Sequence, residues 1–155
     1  MPYATAQHLR DEGWRPDQFG GAIADFDAYL GAVIADAALW VAAKLGAAYA
    51  GATGFVESCA RRAEVYLAGA MLFKRRASFV DSGATQGLER QAYLERRGYL
   101  EDAGRLHECA LAALREALLY LGLPTDTLND APALAVGHIE TGPYPPTSAG
   151  AINVG

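Results

Sequence analysis

The strongest constraint on this chain is a helical period carried through three long runs, in which small or apolar residues recur at alternating steps of three and four. That spacing gathers a stripe of side chains on one face of an α-helix, and such a face has to be buried against a neighbour. The first run predicts a helix from about Ala22 to Tyr49, with Leu30, Ile34, Ala37, Val41, Leu45 and Ala48 as its core stripe. Beside it runs a second stripe, Tyr29, Val33, Asp36, Trp40 and Lys44, which mixes aromatic rings with both signs of charge. That mixture suits a helix face that meets another chain. The second run predicts a helix from about Phe55 to Val80, whose seam reads Val56, Cys59, Ala63, Tyr66, Ala70, Phe73, Ala77 and Val80. Small residues in such a seam let bundle helices approach closely.

The third run predicts a helix from about Gln86 to Leu121 with two characters. Its first part, GLERQAYLERRGYLED, is rich in charge, so it lies on the surface or projects from it, with Gly98 as a place to bend. Its second part carries two adjoining stripes: Ala103, Leu106, Ala110, Ala113, Ala117 and Tyr120, then Leu100, Gly104, His107, Leu111, Leu114, Leu118 and Leu121. An apolar arc that wide is expected to be buried between two or more neighbours.

Turn residues divide the runs. Thr5 is placed to cap a short helix over Ala6 to Glu12, which Gly13, Pro16 and the Gly20-Gly21 pair end. Gly51 and Gly54 mark a tight turn; Asp81, Ser82 and Gly83 break the second run, and Thr85 is a candidate cap for the third. Gly122 and Pro124 stop the last helix. The expected fold is therefore all-α: a bundle of three long helices plus a short N-terminal helix over residues 1–121, followed by an extended, non-helical C-terminal arm over 122–155. The arm is broken by Pro132, Pro143, Pro145 and Pro146, yet Leu128, Leu134, Val136, Ile139, Tyr144, Ile152 and Val154 make it too apolar for a solvated linker. Its alternating AVGHIET and AINV segments suit strands that dock on a partner, the alternative being a strap over its own bundle.

Charge narrows the function classes. The formal net charge of −5 argues against a generic nucleic-acid binder, which needs basic surface to displace phosphate counterions. The balance is uneven: Arg61, Arg62, Lys74, Arg75 and Arg76 crowd one helix, while no Lys or Arg follows Glu116. A chain polarised in this way can mate with copies of itself or with a charged partner, although a solvated helix face reads the same. The N-terminus shows no signal-peptide pattern. The most apolar stretch, Tyr29 to Ala52, is interrupted by Asp36 and Lys44, each of which costs roughly 2.5–3.5 kcal/mol at a bilayer centre, so no membrane partner is expected. Cys59 and Cys109 read as buried, reduced thiols.

Catalytic and metal-binding patterns are not found. There is no Glu-x-x-His pair for a di-iron bundle, no GxSxG, no GxxxxGK[ST] and no strand-borne GxGxxG. His107 and Cys109 diverge around a helix, as do the pairs Asp25/Asp27 and Glu101/Asp102. No enzyme activity, metal or cofactor is expected, and His107 reads as a packed core histidine.

MPYATAQHL at the start, VIADAALWVAAKLGAAYAG in the first long helix and FVESCARRAEVYLAGAMLFKRR in the second together resemble the head-to-tail connector proteins of tailed bacteriophages, also called adaptors or head-completion proteins. The resemblance covers roughly Met1 to Arg76 and is one of texture and order; the loop WRPDQFGG and the tail depart from it. It implies a structural virion protein of the neck, made in the host bacterial cytoplasm. Its copies would form a ring, commonly a dodecamer, beneath the portal protein. The ring would continue the DNA channel without sequence-specific DNA binding and would carry the next neck or tail-completion protein. Tyr29, Trp40, Arg61, Arg62, Lys74, Arg75 and Arg76 are then the expected interface residues on the bundle, because aromatic rings and Arg are the usual hot spots. Val136, Ile139, Tyr144, Ile152 and Val154 are those of the arm. The alternative is a cytoplasmic helical-bundle module that holds an apolar ligand between its helices with the tail as lid. It calls for a sizeable closed cavity beside His107 and Tyr66.

Overall fold

A computed structural model of the chain describes residues 1–19, 23–83 and 89–129. Among them are five α-helices, α1 (Ala6–Asp11), α2 (Phe26–Leu45), α3 (Ala47–Ala50), α4 (Gly54–Gly83) and α5 (Glu89–Tyr120), two short 3₁₀ turns at Pro16–Phe19 and Asp126–Leu128, and no strand. The fold class is all-α, as expected.

Several expected boundaries differ. The first long helix begins at Phe26, because the Asp25 side chain accepts from the Ala28 N–H at 2.9 Å and so caps it there. It ends at Leu45, where Gly46 takes φ +58, a conformation that L side chains rarely adopt; Ala47–Ala50 forms a separate turn of helix in which Tyr49, not Ala48, is the buried residue. The second helix runs on through Asp81, Ser82 and Gly83, weak helix formers that do not remove a hydrogen bond as proline does. The candidate cap Thr85 lies outside the described residues. At α1 the predicted Thr5 cap forms a capping box with His8. The helix closes one residue early in a Schellman turn, with Gly13 at φ +90, its N–H on Arg10 O and the Trp14 N–H on Leu9 O.

α4 and α5 form an antiparallel hairpin. Phe55 meets Tyr120 at one end, Arg62 meets Glu116 further along, and Arg76 meets Tyr99 towards the other end. With 30 and 32 residues, the two helices are about 45 Å long at 1.5 Å per residue. Their seam is built from alanine: Ala60, Ala63, Ala70 and Ala77 on α4, and Ala103, Ala110, Ala113 and Ala117 on α5, are all buried. Alanine brings the backbones close at little loss of side-chain entropy, and spacings of three, four and seven residues keep the seam facing the partner helix.

α2 lies antiparallel on α4, with Tyr29 beside Arg75 near one end and Tyr49 beside Glu64 near the other. It is long and apolar enough to cross a bilayer by length and composition, yet here Leu30, Val33, Ile34, Ala37, Ala38, Val41 and Leu45 are buried within the core. The N-terminal segment runs back along α4, from Ala4 at Glu64 to Trp14 at Phe73, and buries Leu9, Trp14 and Phe19. After α5, Gly122 at φ +66 forms a second Schellman turn with the bonds Gly122 N–H to Leu119 O and Leu123 N–H to Leu118 O. The chain then folds back: Lys44 Nζ donates to Thr127 O at 2.6 Å and Leu128 is buried. The arm residues Val136, Ile139, Tyr144, Ile152 and Val154 lie outside the described residues.

Candidate interaction surface

The basic residues of α4 fall in two clusters, Arg61-Arg62 and Lys74 to Arg76, and tertiary packing gives three of the five, Arg62, Arg75 and Arg76, a partner within the chain. Arg62 donates from Nη2 to Glu116 Oε2 of α5 at 2.5 Å and to Cys59 Sγ at 3.3 Å, contacts that raise its pKa above the ordinary guanidinium value. Arg75 lies over the Tyr29 ring at 5.1 Å, and Arg76 over the Tyr99 ring at 4.3 Å, where it also donates to the Tyr99 hydroxyl at 2.7 Å. The Tyr99 hydroxyl in turn donates to Glu95 Oε1 at 2.7 Å; burial first, and that bond second, raise its pKa. Lys74 is exposed and Arg61 half-buried.

Of the aromatic residues singled out from sequence, Tyr29 is half-buried and packs edge-on to Phe19 at 5.6 Å while stacking on Phe26 at 6.0 Å. Trp40 is half-buried against the core, edge-on to His107 of α5 at 5.7 Å and beneath Lys44 at 5.6 Å. Burial lowers the His107 pKa, and Lys74 lowers it further while Glu108 opposes. The structure thus brings Trp40, Lys44 and His107 together, and separately Tyr29 with Arg75; Arg61 and Arg62 lie towards the opposite end of α4.

The surface also holds apolar residues that the helical period had assigned to the core or passed over. At the end of the hairpin where α4 starts and α5 stops, Tyr120 is 68% exposed and Leu119 65%, with Phe55, Leu121 and Leu123 also exposed. Phe55 and Tyr120 face each other at 5.0 Å, so these two rings form one apolar surface across the two helices. At the opposite end Phe79, Tyr93 and Leu94 are exposed, Tyr93 by 64%. Tyr120, Leu121 and Leu100 were expected in buried stripes and are exposed. A signal for Leu119 lay in the sequence, since it sits outside both stripes of α5.

A further residue is hidden where none was expected. Glu64 is 0% exposed; its Oε1 accepts from the Tyr49 hydroxyl and its Oε2 from the Ala4 N–H, each at 2.6 Å. Burial raises its pKa above the usual carboxylate range against the opposing effect of these hydrogen bonds, and burial together with Glu64 pushes Tyr49 up as well. Its position on the line Ala60, Glu64, Leu67, Met71, at steps of four, three and four, was the available clue.

Among the described residues no three of His, Cys, Asp and Glu come together as metal ligands. The cleft beside His107, lined by Leu67, Met71 and Gly104 among others, has a volume of about 230 Å³, and those beside Tyr66 about 200 and 190 Å³. All three are open, and they fall below the range of roughly 300–1,000 Å³ that encloses a drug-sized ligand. A larger depression of about 460 Å³, between Ile23, Tyr29, Arg75, Ser78 and Phe79, is more open still.

Comparison of the chain with protein-family models, with characterised proteins and with solved structures finds no match.

Proposed function

We propose that this chain is a structural interaction protein without catalytic function, a head-to-tail adaptor of the tailed-bacteriophage neck whose copies form a ring beneath a portal. The observation that carries the reading is exposed apolar surface at opposite ends of one long hairpin: Phe55 against Tyr120, with Leu119 and Leu123, at one end, and the exposed side chains of Phe79, Tyr93 and Leu94 at the other. A spacer of about 45 Å with a sticky surface at each end suits a part held between two neighbours, and exposed apolar surface of this kind marks protein contacts. The alanine seam keeps the spacer stiff, which favours transmission of position from one neighbour to the next. The resemblance of Met1 to Arg76 to phage connectors names the setting: portal on one side, the next neck protein on the other, DNA passing through without sequence readout. A three-helix bundle, with residues 122–129 folded back on it and an extended arm only beyond them that reaches to an adjacent copy or to the portal, belongs to the same proposal. Modest contacts repeated around a closed ring add by avidity.

The test is native mass spectrometry of the full-length chain, of a truncation after Leu123 and of the double variant Phe55→Ser/Tyr120→Ser, each alone and with a purified portal ring. A large closed oligomer, or portal-bound copies, that the truncation or the double variant dissolves supports the reading. A chain that stays monomeric in every form and ignores the portal removes it.

A further inference from the structure

Glu64 holds an unusual place in this fold. Its carboxylate is buried on α4, and among the described residues no Lys, Arg or His side chain pairs with it. A buried anion without a counter-charge is costly, and proteins keep one only where hydrogen bonds or a proton compensate. Here the compensation comes from the segment that crosses it. The Ala4 N–H donates to Oε2 and the Tyr49 hydroxyl to Oε1, each at 2.6 Å, while the Tyr3 hydroxyl donates to Tyr49 O and the two rings meet edge-on at 5.1 Å. Among the described residues, Glu64 is acted on by hydrogen bonds from the Tyr49 hydroxyl and from the backbone of Ala4 and Tyr3 and, as the weakest of these effects, by the charge of the Met1 amino group, while Tyr3 acts in turn on Tyr49.

The network also has room for a proton. The Tyr49 hydroxyl lies 3.2 Å from Met1 O as well as 2.6 Å from Glu64. When Glu64 is ionised, the hydroxyl donates to it and Met1 O goes without this donor. When Glu64 is protonated, its own O–H donates to Tyr49, the Tyr49 hydroxyl turns to donate to Met1 O, and the remaining carboxyl oxygen still accepts from Ala4. The neutral form therefore satisfies every group and adds one bond to the N-terminal segment, whereas the ionised form leaves a desolvated charge.

From this geometry we infer that Glu64 is a proton-dependent latch that holds residues 1–19 against α4 and releases them when it ionises. Release hydrates the carboxylate and frees the packing sites of Leu9, Trp14 and Phe19, all buried in the closed form. The sign follows from linkage. The closed form raises the Glu64 pKa above its ordinary value of 4.5, so the closed form binds the proton more tightly than the open one. Closure is then fully favoured below 4.5 and weakens as pH rises through the raised value, opening becoming up to about tenfold more favourable per pH unit across that window.

Hydrogen exchange of the full-length protein between pH 4.5 and 8, corrected for the intrinsic pH dependence of exchange, reads the latch at the amides of residues 4–19. Protection of these amides is expected to fall by up to about tenfold per pH unit in the wild type and then level off, while the α4–α5 seam stays protected. In Glu64→Gln the same amides are expected to show no pH slope. A carbon-detected NMR titration of the wild-type Glu64 carboxyl should have its midpoint within the exchange transition. Equal slopes in wild type and Glu64→Gln, or a carboxyl that ionises while residues 4–19 stay protected, overturns the inference. Should Glu64→Gln fail to fold, coincidence of the two wild-type transitions still decides: separate midpoints refute the latch.

Discussion

Replacing Ala110 by leucine tests the alanine seam directly. Ala110 is 0% exposed on α5 and belongs to the same buried core cluster as Ala60, Ala63 and Leu67 of α4, none more than 2% exposed. Leucine adds three carbon atoms where none of the described clefts is lined by Ala110, so the helices must separate or the side chain must leave its rotamer. Overpacking of this kind costs about 1–3 kcal/mol, and the rigid seam places Ala110→Leu at the upper end. For a chain of this length, ~3 kcal/mol lowers Tm by roughly 6–12 °C. The control is Ala112→Leu, on the exposed side of the same helix, where the expected change is within about 0.5 kcal/mol. Urea unfolding followed by circular dichroism measures both. The packing reasoning fails if Ala110→Leu is as stable as the wild type, or if Ala112→Leu loses as much.

Two further outcomes are expected. Because burial and Lys74 lower the His107 pKa below 6.5, the folded chain binds this proton less tightly than the unfolded chain; His107 contributes stability above 6.5 that is lost as pH falls through 6.5 towards the lowered value. Trp40 emission, read in a Trp14→Phe background, should be quenched by the imidazolium with a midpoint below 6.5, and His107→Phe should abolish that step. Arg62→Ala should cost less than about 1 kcal/mol in urea unfolding, since the Arg62 and Glu116 side chains are 43% and 51% exposed and water screens the pair; a loss above 2 kcal/mol would show that the guanidinium anchors the hairpin through Cys59 as well.

The sequence by itself determined what depends on neighbours within a turn or two of chain. The three runs of helix, the Thr5 cap, and the helix ends at Gly13 and Gly122 were legible because capping and left-handed glycines are local chemistry. The alanine stripes of α4 and α5 were legible because a period of 3.6 carries its own face. Asp25 and Gly46, which shorten the first long helix, were local signals as well, but an unbroken apolar stripe masked them. Only the tertiary structure decided which apolar stripes are covered and which charges are paired. Tyr120 shares the stripe of Ala110 and Ala117, yet it is exposed because α4 begins at Gly54 and sets only Phe55 against it. Arg62, Arg75 and Arg76 look alike in sequence, and their partners Glu116, Tyr29 and Tyr99 stand 23 to 54 positions away. Glu64 reads as an ordinary helix-surface acid until α3 and the N-terminal segment close over it, because burial belongs to the packing of three elements and not to any one of them.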